Sequence, residues 1–266
     1  MPCVPMFKDL PSVTSIPIKP SFWRREHHLD RMDLRQLVVA YFQYPAVIAY
    51  LVGATAAAGV AIARPAGPIA TLASIAAAVL LYPLAWYMLH RFVLHSRWMF
   101  KIPMMAATWK RIHYDHHQDP NRLEILFGAL HTTLPTIALI TLPIGYAFGG
   151  IGGAATALSA GLLMTCFYEF CHCIQHLAYS PKHPTLVKMK QRHMAHHFHD
   201  ETGNFGITNF FWDRLFKTSY AKVSERKKSP TVFNLGYTPE VALKYPKVAE
   251  LSGGVATGHP ASRIRG

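Results

Sequence analysis

A chain of 266 residues that is 51% hydrophobic, 15% charged and formally +13 is too apolar for a disordered protein and too long for a disulfide-stapled mini-domain. Its four cysteines do not suggest a disulfide framework. The positive charge could serve nucleic acid, but no recognisable nucleic-acid module accompanies it, so no such partner is expected.

In chain order, residues 1–35 are polar and basic and lack a continuous apolar signal region. We read them as a cytoplasmic N-terminal segment. Residues 36–63, 65–90 and 125–168 then contain no Asp, Glu, Lys or Arg. A helix needs about 20 apolar residues to cross a bilayer, and the last run is long enough for two crossings. The GGIGG stretch at 149–153 divides it as a hairpin turn would. Four transmembrane helices are therefore expected, near 38–62, 68–92, 126–147 and 152–177. Pro45, Pro83, Pro135 and Pro143 lie within these runs, which membrane helices tolerate better than soluble ones.

The basic residues flank one side. Lys8, Lys19, Arg24, Arg25, Arg31 and Arg35 precede the first helix, and Arg91, Arg97, Lys101, Lys110, Arg111 and Arg122 follow the second. The two opposite turns hold only Arg64. The positive-inside rule places both termini and the 93–125 segment in the cytoplasm. An integral, multi-pass membrane protein follows, with its basic face toward anionic headgroups.

Ten of the 16 histidines fall in four clusters: His90 and His95; His113, His116 and His117; His172 and His176; His193, His196 and His197. Each lies at or beyond the end of an apolar run, on the side assigned to the cytoplasm. Imidazole is the commonest neutral ligand for iron, copper and zinc. Residues three and four apart share a helix face, so each HxxHH group is expected to turn three imidazoles to one side. His90 and His95, five apart, need a helix end, a distortion or ligation from two sides. Scattered histidines are usually surface or core residues; this spacing instead indicates a metal centre at a membrane face.

Other residues near the clusters carry weaker expectations. Cys171 and Cys173 flank His172 and could be soft ligands, but together with Cys166 they read better as packed thiols. His199 could add an eleventh ligand, though a solvated or supporting role fits it better. His131, inside the third run, is a functional candidate by its depth. His27, His28, His183 and His259 read as surface residues. Glu169, Asp115, Asp200 and Asp213 could accept the second N–H of a ligand ring, with Glu169 and Asp115 favoured. Trp212 and Asp213 are expected to dock the segment after the last box. SERKKSP (224–230) reads as an exposed loop, 239–251 as a short broken helix and 252–266 as disordered.

HRFVLH (90–95), HYDHH (113–117), HCIQH (172–176) and HMAHH (193–197), followed by GNFGITNFFWDRLFKT (203–218), resemble the fatty acid hydroxylase and sterol desaturase superfamily of integral-membrane non-haem di-iron enzymes. The resemblance covers roughly residues 80–218. An HxxxH box shortly before the final HxxHH is not the layout of the acyl-CoA desaturases. The likeness implies an all-α fold: four transmembrane helices with a cytoplasmic helical cap, and two iron ions held by the ten histidines, which are then both catalytic and metal-ligating. Zinc could replace iron in a purified sample. It further implies dioxygen as co-substrate and a membrane lipid as substrate. HRFVLH and the GFGI-like sequence resemble fatty acyl hydroxylases most, although Gly203-Asn204-Phe205-Gly206 departs from the Gly-Phe-Gly that hydroxylases often carry. Some relatives carry a fused cytochrome b5 domain, but no HPGG-like segment stands here. Electrons are therefore expected from a separate protein of the cytochrome b5, ferredoxin or reductase type.

The expected organisation is an N-terminal segment (1–35), a transmembrane and histidine-box catalytic domain (36–218) and a cytoplasmic tail (219–266). The expected activity is hydroxylation of a fatty acyl chain. Desaturation at the same centre, hydroxylation of a lipid headgroup, sterol or carotenoid, and non-enzymatic metal binding remain the alternatives.

Overall fold

The computed structural model describes residues 26–255. Among them the secondary structure is helical, apart from one isolated bridge between His28 and Arg122. The disorder expected for 252–266 falls mostly outside the described residues.

Helix α1 (Leu34–Gln43) starts on a reciprocal capping box between Asp33 and Gln36. Two longer apolar helices follow, α2 (Pro45–Ala63) and α3 (Pro68–Leu89), each with proline in its first turn, where the missing N–H costs nothing. Gly67 (φ 80°) lets the chain reverse between them. The short helices α4 (Pro103–Trp109), α5 (Asp115–Gln118) and α6 (Leu123–Leu126) lead to α7 (Leu130–His176).

Inside α7, Gly149 (φ −157°, ψ 32°) and Gly150 (φ 58°, ψ −143°) leave helical geometry, within the expected GGIGG turn. The two limbs fold back on each other. A Cβ on Gly153 would lie 2.2 Å from the Gly145 carbonyl oxygen, and one on Gly161 would lie 2.7 Å from Thr141. Small residues thus permit backbone contact where side chains would hold the limbs apart. Gly153→Ala is expected to destabilise the protein by about 1–3 kcal/mol. Gly59→Ala, with open space around the new methyl, should not; thermal unfolding in detergent compares the two.

Three segments are long and apolar enough to cross a membrane: Pro45–Ala63, Pro68–Lys101 and Leu123–His176. The third is the one broken at Gly149 and Gly150. Ile62, Ile69, Leu72, Leu80 and Leu139 on these helices are each at least 68% exposed, a surface that water would not favour and lipid would. Polar side chains on the inner faces are satisfied internally: Thr141 donates to the Ile137 carbonyl, Thr165 to Gly161, and Ser159 crosses to Ala54.

Beyond the ends of these helices lie α8 (Pro184–Phe198), α9 (Phe211–Leu215), α10 (Pro239–Lys244) and α11 (Lys247–Ser252). The break between α10 and α11 at Tyr245-Pro246 matches the expected broken helix. Residues 224–230 are mostly exposed, as a loop should be. Tyr237, Ala242 and Val248 pack with Phe100, Trp109 and Tyr114 in one core, joining the C-terminal region to the segment between the first two histidine boxes.

Candidate metal centre

The ten histidines converge into two groups of five. His90, His95, His113, His117 and His196 form one; His116, His172, His176, His193 and His197 form the other. Within each group the ring nitrogens lie within 4.8 Å of one another. Nine of the ten are buried, and His95 is half-buried.

The first pair reaches its group through the expected distortion. Residues His90–Leu94 form a π-helical turn at the end of α3, and the His95 amide donates to the His90 carbonyl at 3.1 Å. The wider turn brings positions five apart onto one face. A second π turn, Lys110–Tyr114, precedes His116 and His117.

The HxxHH boxes do not present three rings to one side, as the sequence reading expected. Each splits. His113 and His117 enter the first group while His116 enters the second; His193 and His197 enter the second while His196 enters the first. Positions four apart stay together, but adjacent residues on a helix diverge by about 100°. The groups therefore interlock, each completed by one histidine from the other's box, and the tilted rings of His117 and His197 lie 4.4 Å apart between centroids.

The donor set fits metal ions. The Nε2 atoms of His95 and His113 approach to 2.8 Å, those of His90 and His95 to 3.2 Å, those of His176 and His193 to 2.8 Å, and those of His116 and His172 to 3.2 Å. Nitrogens bound at right angles to one ion at ~2.1 Å would stand ~3 Å apart. Buried Nε2 atoms of His117, His196 and His197 have no hydrogen-bond partner, and such orphans are costly unless something binds them. Burial, with neighbouring imidazoles adding to it, holds His113, His116, His193 and His197 well below the usual imidazole range, and burial brings His196 to about 4. These rings are neutral at physiological pH, as ligation requires.

Three of the rings are oriented by backbone carbonyls, not by carboxylates. His90 Nδ1 donates to the Phe205 carbonyl (2.6 Å), His196 Nδ1 to Gly203 (2.7 Å) and His117 Nδ1 to Val232 (2.9 Å). All three belong to the first group. The expected carboxylate partners lie elsewhere. Asp115 is paired with Lys110 at 2.7 Å, because it points away from the helix face that carries His113 and His117. Glu169 is buried in the wall of the adjoining cavity and bonds no ring. Asp200 binds Arg226 and Thr202.

Asp213 acts one step further out. Fully buried, it accepts from the amides of Phe205 and Gly206, each at 2.8 Å, and from the Thr218 hydroxyl at 2.8 Å. It therefore fixes the loop whose Phe205 carbonyl holds His90. Docking by Asp213 was legible in the sequence; the link to His90 was not. Trp212 packs beside Phe211 and Phe216.

The remaining candidates lie outside both groups. His199 bonds the Arg226 carbonyl, His27 pairs with Glu124 at 3.0 Å, and His183 caps α8. Cys166, Cys171 and Cys173 are free thiols, with Cys173 in an apolar core beside Leu29 and Leu37. His131 lines the cavity beside the metal groups. That cavity measures about 360 Å³ and is walled mainly by apolar residues, among them Leu89, Val93, Met105 and Ile112; His90, His113, His116, His172, His193 and His197 reach it.

Residues 75–218, more than half of the chain, match the family described as "Fatty acid hydroxylase". Among curated proteins, the chain is 31% identical over 147 residues to a ceramide very long chain fatty acid hydroxylase of Saccharomyces cerevisiae, covering 53% of this chain and 36% of the relative. It is 30% identical over 159 residues to a dihydroceramide fatty acyl 2-hydroxylase of Arabidopsis thaliana, covering 58% and 64%. It is 25% identical over 154 residues to the fatty acid 2-hydroxylase of Rattus norvegicus, covering 56% and 40%. The match thus spans between about a third and two thirds of these relatives' lengths. A solved structure of full-length scs7p, with only its hydroxylase domain visible, superposes with a TM-score of 0.56 at 26% identity, covering 71% of this chain and 69% of that chain.

Proposed function

Because the chain belongs to the fatty acid hydroxylase family, we propose that it is an oxygen-dependent lipid hydroxylase with a di-iron centre in the two histidine pentads. The single observation that carries this reading is the convergence of all ten box histidines into two groups of five, six of whose members line an apolar cavity. Bound there, iron supplies oxidation of an unactivated C–H bond by dioxygen. One oxygen atom enters the C–H bond, and the other leaves as water with an electron pair from a separate donor and protons from solvent.

This chain's own residues hold and shield the reacting carbon. The cavity wall of Leu89, Val93, Met105 and Ile112 excludes water and aligns an alkyl chain against His113, His116 and His172, which line the same cavity. Orientation of this kind decides which hydrogen faces the centre. The three backbone carbonyls fix ring tautomers in the His90 pentad, so that its metal-facing nitrogens stay in place through turnover.

Four membrane crossings with the pentads at the cytoplasmic face fit the asymmetry of Lys and Arg and the fold-back at Gly149 and Gly150. A fatty acyl chain is the favoured substrate, in keeping with the printed names of the relatives. Lipid mass spectrometry on cells expressing the chain, with a catalytically silenced variant beside it, tests the reading. A lipid gaining one oxygen only with the intact protein is expected. A lipid losing two hydrogens would assign desaturation instead.

A further inference from the structure

A basic loop, residues 222–234, runs past the first pentad. The Val232 carbonyl accepts from His117 Nδ1 at 2.9 Å, and the next carbonyl, that of Phe233, accepts from the Gln118 side chain. At the loop's other contact, the Ser229 amide donates to the His199 carbonyl at 2.8 Å, and His199 Nε2 donates to the Arg226 carbonyl at 2.8 Å. The loop is therefore pinned to the ends of α5 and α8, the helices that deliver His117 and His196 to the same pentad.

Its outward face is cationic. Between 222 and 228, Lys222, Arg226, Lys227 and Lys228 stand against the single acid Glu225. Arg226 turns to Asp200 at 2.8 Å, and Glu225 folds back onto the amides of Ala221 and Lys222. Lys222, Lys227 and Lys228 are exposed and make no ion pair among the described residues. The Lys228 ammonium lies 6.0 Å from the centre of the Phe233 ring. From Phe233 to the pentad the path is covalent but for one hydrogen bond: through the Val232 carbonyl to His117, whose buried Nε2 has no hydrogen-bond partner. Bonds and hydrogen bonds couple electronic states far better than an empty gap of the same length. Neither His117 nor any residue of the loop lines the substrate cavity, so a partner seated here leaves the lipid's path free.

We infer that the 222–234 loop is the docking surface for the electron donor, a carrier protein with an acidic face around its redox group, and that electrons enter the first pentad through Val232 and His117. This rests on the lipid-oxidising reading above, which draws an electron pair from a separate donor. A one-electron carrier gives up one electron per visit and leaves oxidised by one electron, so two visits supply one turnover. Brief electron-transfer encounters bury less than about 1,200 Å², within the reach of a short loop, and opposite charges speed them. An anionic membrane would also attract three lysines, but lipid contact needs no bond from the loop to a ligand histidine.

The test uses the full chain, free of metal, in nanodiscs of zwitterionic lipid, with a soluble cytochrome b5 haem domain and a plant-type ferredoxin as acidic carriers. A carbodiimide joins a carrier carboxylate to a lysine amine in contact with it. Peptide mapping should place these cross-links on Lys222, Lys227 and Lys228, and about 0.5 M salt should suppress them. Lys227→Glu combined with Lys228→Glu should weaken carrier binding at least about tenfold at low salt. The same reversal at Lys244 and Lys247, on α10 and α11, should leave it unchanged. In the iron-loaded protein the loop variant should be reduced slowly by the carrier but at the wild-type rate by dithionite. No cross-link to the loop with either carrier, or an unchanged affinity in the folded loop variant, would overturn the inference. So would shielding of Lys227 and Lys228 from a water-soluble amine reagent in phosphatidylserine nanodiscs, which would assign the loop to the membrane surface. If a carrier docked on the loop but the wild type oxidised no lipid, the hydroxylase reading would fail and the docking surface would stand.

Discussion

His196→Ala is expected to abolish hydroxylated product, by more than about 100-fold, because a direct ligand matters more than the supporting partners whose loss alone costs about 10–100-fold. The same substitution should lower metal content from two ions per chain toward one. His196 sits on α8 but serves the pentad built by His90, His95, His113 and His117. Its Nδ1 is occupied by the Gly203 carbonyl at 2.7 Å, leaving Nε2 for the metal. His193→Ala, three residues earlier on the same helix, should instead empty the other pentad. Metal analysis of the two variants separates interlocked sites from boxes that each serve one ion. If each box served its own metal, both substitutions would strip the same site. His259→Ala, a histidine of no box, should retain product and both metals.

Asp213→Ala is the second large effect, and it acts on a group that touches no metal. The carboxylate takes hydrogen bonds from Phe205, Gly206 and Thr218, and Thr218 also bonds the Tyr87 hydroxyl at 3.0 Å. Arg91 in turn donates to Tyr87, so the loop is tied to the helix that delivers His90. Leaving the buried Phe205 amide unpaired costs about 1–3 kcal/mol, and the part-buried Gly206 amide adds less. The freed Phe205 carbonyl would lose its grip on His90, and metal affinity at that pentad should fall about 10–100-fold. Asp213→Asn keeps an acceptor for one amide but sets a donor against the other, so it should fall between wild type and alanine. Competition against a graded chelator reads the effect. Loss of folding stability with equal loss of both metals would mean that Asp213 only holds the fold together. Preferential loss from the His90 pentad identifies it as a positioning residue.

The ten box histidines were legible in the sequence, but their partition into two groups was not. Ten histidines in four boxes mark a candidate metal centre because their spacing survives in one dimension. That adjacent members of an HxxHH box diverge follows from helix geometry, but which site each one enters depends on how α5 and α8 face each other. His90 and His95 announced their irregularity, being five apart, and the π turn resolves it. The supporting partners were harder to read. Carboxylates are visible in a sequence, and Asp115 and Glu169 drew attention for that reason. The acceptors actually used are the carbonyls of Gly203, Phe205 and Val232, and every residue has a carbonyl. Val232 lies 115 positions from His117, in a stretch whose composition reads only as a polar tail. The GGIGG turn, by contrast, was legible because Gly150 adopts φ 58°, which glycine reaches at little cost.

If the two pentads hold iron that inserts one atom of dioxygen into a lipid C–H bond, the new hydroxyl takes its oxygen from the gas. The most direct measurement supplies isotopically heavy dioxygen to the purified, iron-loaded protein in lipid with a reductant, and weighs the lipid product. The expected product carries the heavy isotope in its new hydroxyl and is absent with His196→Ala. A hydroxyl carrying oxygen from water, or the same product from a zinc-loaded protein without dioxygen, would contradict it.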